Sequence, residues 1–162
     1  GDCLAASNDW KGSGAAFARY LKEFPDSELW FQAQFGVAWA LENQNQHEQA
    51  IAGYRVITEK HSGPTAARAQ FQIGECYFAQ KRHEDAVREL LKVDILYAYP
   101  EWSAAALYEA GRCFEAMAKP DEARARFAQV QKTYGDSQWA KLAAERLAAI
   151  APKANGGAGA PG

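Results

Sequence analysis

The sequence predicts an all-α array of antiparallel helix pairs, and three observations carry that prediction. Gly-x-x-apolar recurs as Gly1…Leu4, Gly36…Trp39, Gly74…Tyr77 and Gly111…Phe114, at spacings of 35, 38 and 37 residues. A small residue followed four later by a larger apolar one recurs as Ser13/Phe17, Ala50/Tyr54, Ala86/Leu90 and Ala123/Phe127, at 37, 36 and 37. Within each unit the apolar residues keep helical spacing in two blocks divided by a short polar break. Two landmarks on one period mark copied helix pairs, each burying its apolar face on its neighbours.

Nine helices are expected, over about 1–7, 10–24, 27–42, 46–60, 65–80, 83–98, 102–117, 120–133 and 137–150. They group as a partial first repeat (1–26), three repeats (27–63, 64–100, 101–136), a capping helix (137–150) and a flexible Gly/Ala/Pro tail (151–162). The first helix enters about halfway along, because Gly1 takes the place of Gly36. A solenoid needs a capped end, so the chain reads as the C-terminal part of a longer array. Inside the units the breaks are SND (7–9), ENQNQ (42–46), QKR (80–82) and Lys119-Pro120-Asp121, the second carrying two extra residues in its turn. Pro120 suits a first helical turn, where its missing N–H costs nothing. Between units, FPDS (24–27), HSGPT (61–65), YPEWS (99–103) and YGDS (134–137) each combine a turn former with a residue able to cap or charge-match the next helix. The glycines at 36, 74 and 111 are expected to let their helices approach Ala50, Ala86 and Ala123. In the last helix Arg146 falls where the glycine would be; Trp139, Leu142, Ala143 and Leu147 form its apolar face, with Lys141, Glu145 and Arg146 toward water.

Composition excludes several functions. The 162 residues carry a net charge of −2, with no basic cluster to release counterions from nucleic acid. No apolar run approaches the ~18 residues of a membrane span. Cys3, Cys76 and Cys113 share one place, two after the repeat glycine, where the first full unit has Ala38. Equivalent places in neighbouring units are about 8–10 Å apart, too far for a disulfide, and no Cys or His spacing makes a zinc site. These cysteines read as packing residues. His47 and His83 share a helix-start place with Trp10 and Pro120, and His61 stands alone in a linker. No nucleophilic triad, HExxH, P-loop or GxGxxG spacing occurs, so neither catalysis nor a cofactor is expected.

The pattern resembles the tetratricopeptide repeat, W-x2-L-G-x2-Y…A-x3-F…P. The stretches that carry the likeness are Phe35-Gly36-x2-Trp39 with Ala50-x3-Tyr54, Ile73-Gly74-x2-Tyr77 with Ala86-x3-Leu90, and Ala110-Gly111-x2-Phe114 with Ala123-x3-Phe127. Gln32, Gln70 and Leu107 replace the leading Trp. The likeness implies a right-handed superhelix, a non-catalytic scaffold for a protein or peptide partner, and a concave face lined by the first helix of each unit. Carried over to this sequence, that face comprises Trp30, Ala33, Val37 and Leu41; Arg68, Phe71, Glu75 and Phe78; and Tyr108, Arg112 and Glu115. Lys and Asn are missing from those places, which speaks against a two-carboxylate clamp. The FPDS and YGDS linkers resemble repeats of bacterial envelope proteins such as the Tol–Pal-associated coordinator and the outer-membrane assembly lipoprotein. That implies a periplasmic setting in envelope assembly or division, with the cytoplasm as the other compartment. A structural array that self-associates through its open N-terminal end is the alternative.

Overall fold

A computed structural model describes residues 1–150 of the chain. They form α1 (Asp2–Ala6), α2 (Trp10–Glu23), α3 (Trp30–Glu42), α4 (His47–Lys60), α5 (Pro64–Ala79), α6 (His83–Leu96), α7 (Pro100–Ala116), α8 (Pro120–Thr133) and α9 (Gln138–Ala149). No strand occurs among the described residues. The tail expected over 151–162 lies outside them.

Helices pair because one turn is used four times. Asn8, Asn45, Lys81 and Ala118 take left-handed φ values of 61°, 60°, 61° and 55°. The following amide then reaches back five residues: Asp9 N–H to the Leu4 carbonyl, Gln46 to Leu41, Arg82 to Tyr77 and Lys119 to Phe114, all at 2.9–3.0 Å. This closure satisfies carbonyls that a helix end leaves bare and turns the chain into the next helix. Glycine usually fills that place; Lys81 and Ala118 hold it at a cost of about 1–2 kcal/mol each.

At the helix starts, Asp9 accepts from Gly12 N–H at 2.9 Å and Ser137 from Ala140 N–H at 3.2 Å. Pro64, Pro100 and Pro120 stand in first turns. Two starts differ from the sequence reading. Residues 25–29 are taken up by turns, with Ser27 Oγ accepting the Leu29 N–H at 3.1 Å, so α3 begins at Trp30 and not at 27. Pro100 initiates α7 instead of breaking it, so that helix begins two residues early.

The turns also correct the register. Counted back from each left-handed residue, the place of Gly1, Gly74 and Gly111 falls in α3 on Ala38, not on Gly36. Side chains agree. Gln34 Nε2 donates to the Gly53 carbonyl at 3.2 Å and Gln70 Nε2 to the Glu89 carbonyl at 3.0 Å, one bond displaced by 36 residues. The two extra turn residues therefore vanish, the period is 37, 36 and 37 throughout, and Ala40 matches the cysteines. The glycines make room for the large residue more than for the alanine. A Cβ on Gly74 would stand 2.5 Å from Leu90 Cγ, and one on Gly111 2.5 Å from Phe127 Cε1. Gly36 makes similar room for Phe17 of the preceding unit, which is why it imitates a repeat glycine.

Consecutive helices pack throughout, and α3 also touches α5, α5 touches α7, and α7 touches α9. No comparable contact joins α2 to α4, α4 to α6 or α6 to α8. The stack therefore bends with the odd-numbered helices inside, around fully buried Tyr54, Ile57, Ile73, Leu90, Leu107 and Phe127. At its end α9 buries Ala140 and Ala143. Leu142 is 37% exposed, and Arg146, which stays exposed, meets Glu115 at 2.7 Å.

Candidate functional site

The inner layer gathers its polar chemistry on α5 and α7. Arg68 is exposed and its guanidinium lies 4.4 Å from the Phe35 ring centre and 5.8 Å from that of Trp102, bridging α3 to α7. Among the described residues it makes no ion pair. Two turns on, Glu75 is half-buried, with Oε1 sealed from solvent and without a hydrogen-bond partner. Burial, then the charge of Glu109, pushes its carboxyl up to about 8, against the pull of Arg112. Arg112 pairs with Glu109 at 2.9 Å and lies 5.2 Å from the Phe78 ring centre. Glu115 receives both Nε and Nη2 of Arg146, at 3.0 and 2.7 Å.

The aromatic members sit deeper than the sequence reading placed them. Phe71 and Tyr108 are each 8% exposed. Phe71 packs on Trp102 with ring centres 5.7 Å apart; Tyr108 packs on Phe127 at 5.5 Å and Trp139 at 5.4 Å. Both join one unit to the next, and a partner would reach only their edges. Phe78 stays half-buried against His83.

For the first full unit the register correction changes the residues. The counterparts of Arg68, Phe71, Glu75 and Phe78 are Gln32, Phe35, Trp39 and Glu42, two places along from Trp30, Ala33 and Val37 and one along from Leu41. Val37 and Leu41 correspond to Ile73 and Tyr77, which pack into the interior, and Trp30 leans on Phe31 and His61. Glu42, missed in the sequence, accepts from the Tyr54 hydroxyl at 2.6 Å and from Gln72 Nε2 at 3.0 Å. The signal that could have found it is the 36-residue spacing of Ala50 and Ala86, which conflicts with the 38 between Gly36 and Gly74.

Cys76 and Cys113 are buried free thiols, the latter pushed up to about 12 by burial first, and Cys3 is exposed. No group of three metal-ligating side chains gathers among the described residues, and none of their helices is long and apolar enough to cross a membrane.

Copied helix pairs in two layers, with a charged and aromatic inner face, define a helical-repeat solenoid of the scaffold type. Sequence models of the tetratricopeptide repeat match residues 35–100 and 105–137, together more than half of the chain, which therefore belongs to the tetratricopeptide repeat family. Such repeats bind protein partners and are generally non-catalytic. A search of curated proteins gave no significant match. Solved structures similar in fold include a tetratricopeptide repeat protein from Parabacteroides merdae ATCC 43184, with TM-score 0.71 and 16% identity over 91% of this chain and 56% of that one. MamA gives 0.64 and 19% over 90% and 82%. Nearly identical TPR-like repeats from Podosopora anserina give 0.66 and 15% over 96% and 93%. The chain thus spans little more than half of the Parabacteroides protein. At these identities the likeness is one of fold.

Proposed function

We propose that the inner face of α3, α5 and α7 binds a peptide or helix of a partner protein, with Arg68 receiving a carboxylate of that partner. One observation carries this reading: Arg68 is an exposed cation held over Phe35 and Trp102 without an ion-pair partner among the described residues. Holding the planar group against two rings reduces the freedom it must lose on binding, and Arg is a favoured hot-spot residue. Glu75, Phe78, Arg112 and Glu115 continue the same face toward α9 and would set register along it. For a role in bacterial envelope assembly or division, the FPDS and YGDS linkers are the support.

Peptide display on the immobilised chain tests the reading. Enriched sequences should share an Asp or Glu beside apolar residues, and Arg68→Glu should lose them while the fold, followed by circular dichroism, stays intact. Peptides that bind Arg68→Glu as well as the wild type would refute it.

A further inference from the structure

Each inner helix from α3 to α7 brings one carboxyl group to a shared region: Glu42 on α3, Glu75 on α5 and Glu109 on α7, and the charges of the outer two act on Glu75. Those two are already provided for. Glu42 accepts from the Tyr54 hydroxyl at 2.6 Å and from Gln72 Nε2 at 3.0 Å, and Glu109 pairs with Arg112 at 2.9 Å. Glu75 is not. Its Oε1 is sealed and has no hydrogen-bond partner, while the residue as a whole stays partly in solvent. Arg112 acts on it from α7 but is already held by Glu109.

The charges that α4 and α6 turn toward α5 meet its other side. Gln70 Nε2 donates to Glu89 of α6 at 2.8 Å, and Arg55 of α4 donates to the Tyr77 hydroxyl at 3.3 Å. Arg82, at the start of α6, lies 4.5 Å from the Tyr77 ring centre and pairs with Glu48 of α4 at 3.1 Å. Gln70 and Tyr77 stand about half a turn of the helix away from Glu75. His83 packs on Phe78, and burial pushes up the thiols of Cys76 and Cys113, so neither supplies charge. What surrounds Glu75 is therefore negative on balance: Glu109 and Arg112 cancel, and Glu42 is held by neutral donors. Burial, and then Glu109, accordingly keep the Glu75 carboxyl protonated up to about 8.

Arg68, Gln72 and Glu75 form one stripe of α5 at i, i+4 and i+7, which sets the outer two about 10 Å apart. One is a cation without an ion pair among the described residues, the other a carboxyl without a cation of its own. Resting on the reading that the inner face binds a partner through Arg68, we infer that the bound segment is dipolar: a carboxylate on Arg68 and, two turns along α5, a Lys or Arg side chain against Glu75. The two charges do not exchange places, because a carboxylate set at Glu75 would meet three of its own kind, and the pattern therefore fixes the direction of the segment. As the cation arrives, the Glu75 O–H bond breaks and its proton leaves to solvent, so that carboxylate and cation face each other. The bound state then holds fewer protons than the free one, and affinity rises with pH until Glu75 is ionised in the free chain as well.

The probes are end-blocked peptides of Ala and Leu with one Asp and one Lys about 10 Å apart: three places in an extended peptide, seven in a helix-stabilised one. Each is titrated into the isotope-labelled chain between about pH 5.5 and 8.5, beside a version with Gln for Lys. The tighter of the two forms should outdo its Gln version by about fivefold or more at about pH 8, with amide shifts around Glu75, and by much less at about pH 5.5. Its affinity should climb by at most about tenfold per pH unit and level off near 8. The Gln version should show no such slope, and Glu75→Gln in the chain should erase the slope of the Lys version. Equal binding of the two versions at about pH 8, with both lost in Arg68→Glu, would overturn the cation site and leave the Arg68 reading standing. Affinity that falls as pH rises would also overturn it, since Glu75 would then donate its proton to the segment, and so would a slope that persists in Glu75→Gln, which belongs to another group such as His83. Binding that survives Arg68→Glu unchanged, or no saturable binding of any probe, would overturn both readings.

Discussion

Replacing Glu75 by Gln should stabilise the array above neutral pH and leave it nearly unchanged near pH 5. The cause is one sealed oxygen. Glu75 Oε1 has no hydrogen-bond partner, and burial, with Glu109 adding to it, raises the carboxyl from 4.5 to about 8. Between those values the folded chain keeps a proton that the unfolded chain has released. The unfolded state then binds fewer protons, so stability is full below about 4.5, falls as pH rises toward about 8, and is flat beyond. At about 1.4 kcal/mol per pH unit the whole window amounts to about 5 kcal/mol, which residual hydration of a half-buried side chain trims to a few. Gln keeps the neutral shape and avoids the loss. Its Tm should match the wild type at about pH 5 and exceed it by about 5–10 °C at about pH 8.5, since 1 kcal/mol moves a chain of this size by 2–4 °C. Thermal melts of both proteins across the window measure this, and their difference cancels the titrations that they share. An offset that is the same at pH 5 and pH 8.5 would show that the carboxyl is not held neutral.

Two further substitutions report on the packing. Ala118→Gly removes the strain of a left-handed alanine, and the net gain should be about 0.5–1 kcal/mol after the extra freedom of an unfolded glycine, read as a higher urea midpoint; Asn45→Gly, where Asn already tolerates that conformation, should gain less. Phe71→Ala/Tyr108→Ala, which an exposed inner face would tolerate, should instead lose about 3 kcal/mol or more, because both rings are buried between units. Melting of the double variant within a few degrees of the wild type would put those rings outside the core.

The helices were legible because their signals are local: apolar spacing, a break every half unit, and Pro120 suited to a first turn. Register was less legible, because a glycine states that space is needed but not for whom. Gly74 and Gly111 yield to residues of their own unit, Gly36 to Phe17 of the unit before, and the sequence looks alike in each case. The bonds that settle the matter, Gln34 to Gly53 and Gln70 to Glu89, end on backbone carbonyls that no residue type announces. Arg68, Glu75, Phe78, Arg112 and Glu115 came out on the inner helices because their units kept the period; Trp30 and Val37 stand two residues from the matching places and Leu41 one, because they were aligned on Gly36.

The burial of Phe71 and Tyr108 also changes what a partner would read on this face. Aromatic rings there hold the units together, and it is the cations resting on them that reach outward: Arg68 on Phe35 and Trp102, Arg112 on Phe78. A planar guanidinium can lie on a ring and still offer its edge to a carboxylate, whereas an ammonium can do only one well. Arg68→Lys should therefore behave more like a loss than a conservative change. The two arginines also differ: Glu109 already occupies Arg112, so a partner carboxylate arriving there must displace a pair, while at Arg68 it displaces only water. Recognition along the inner face should accordingly begin at α5, with the paired charges of α7 adding selectivity more than affinity.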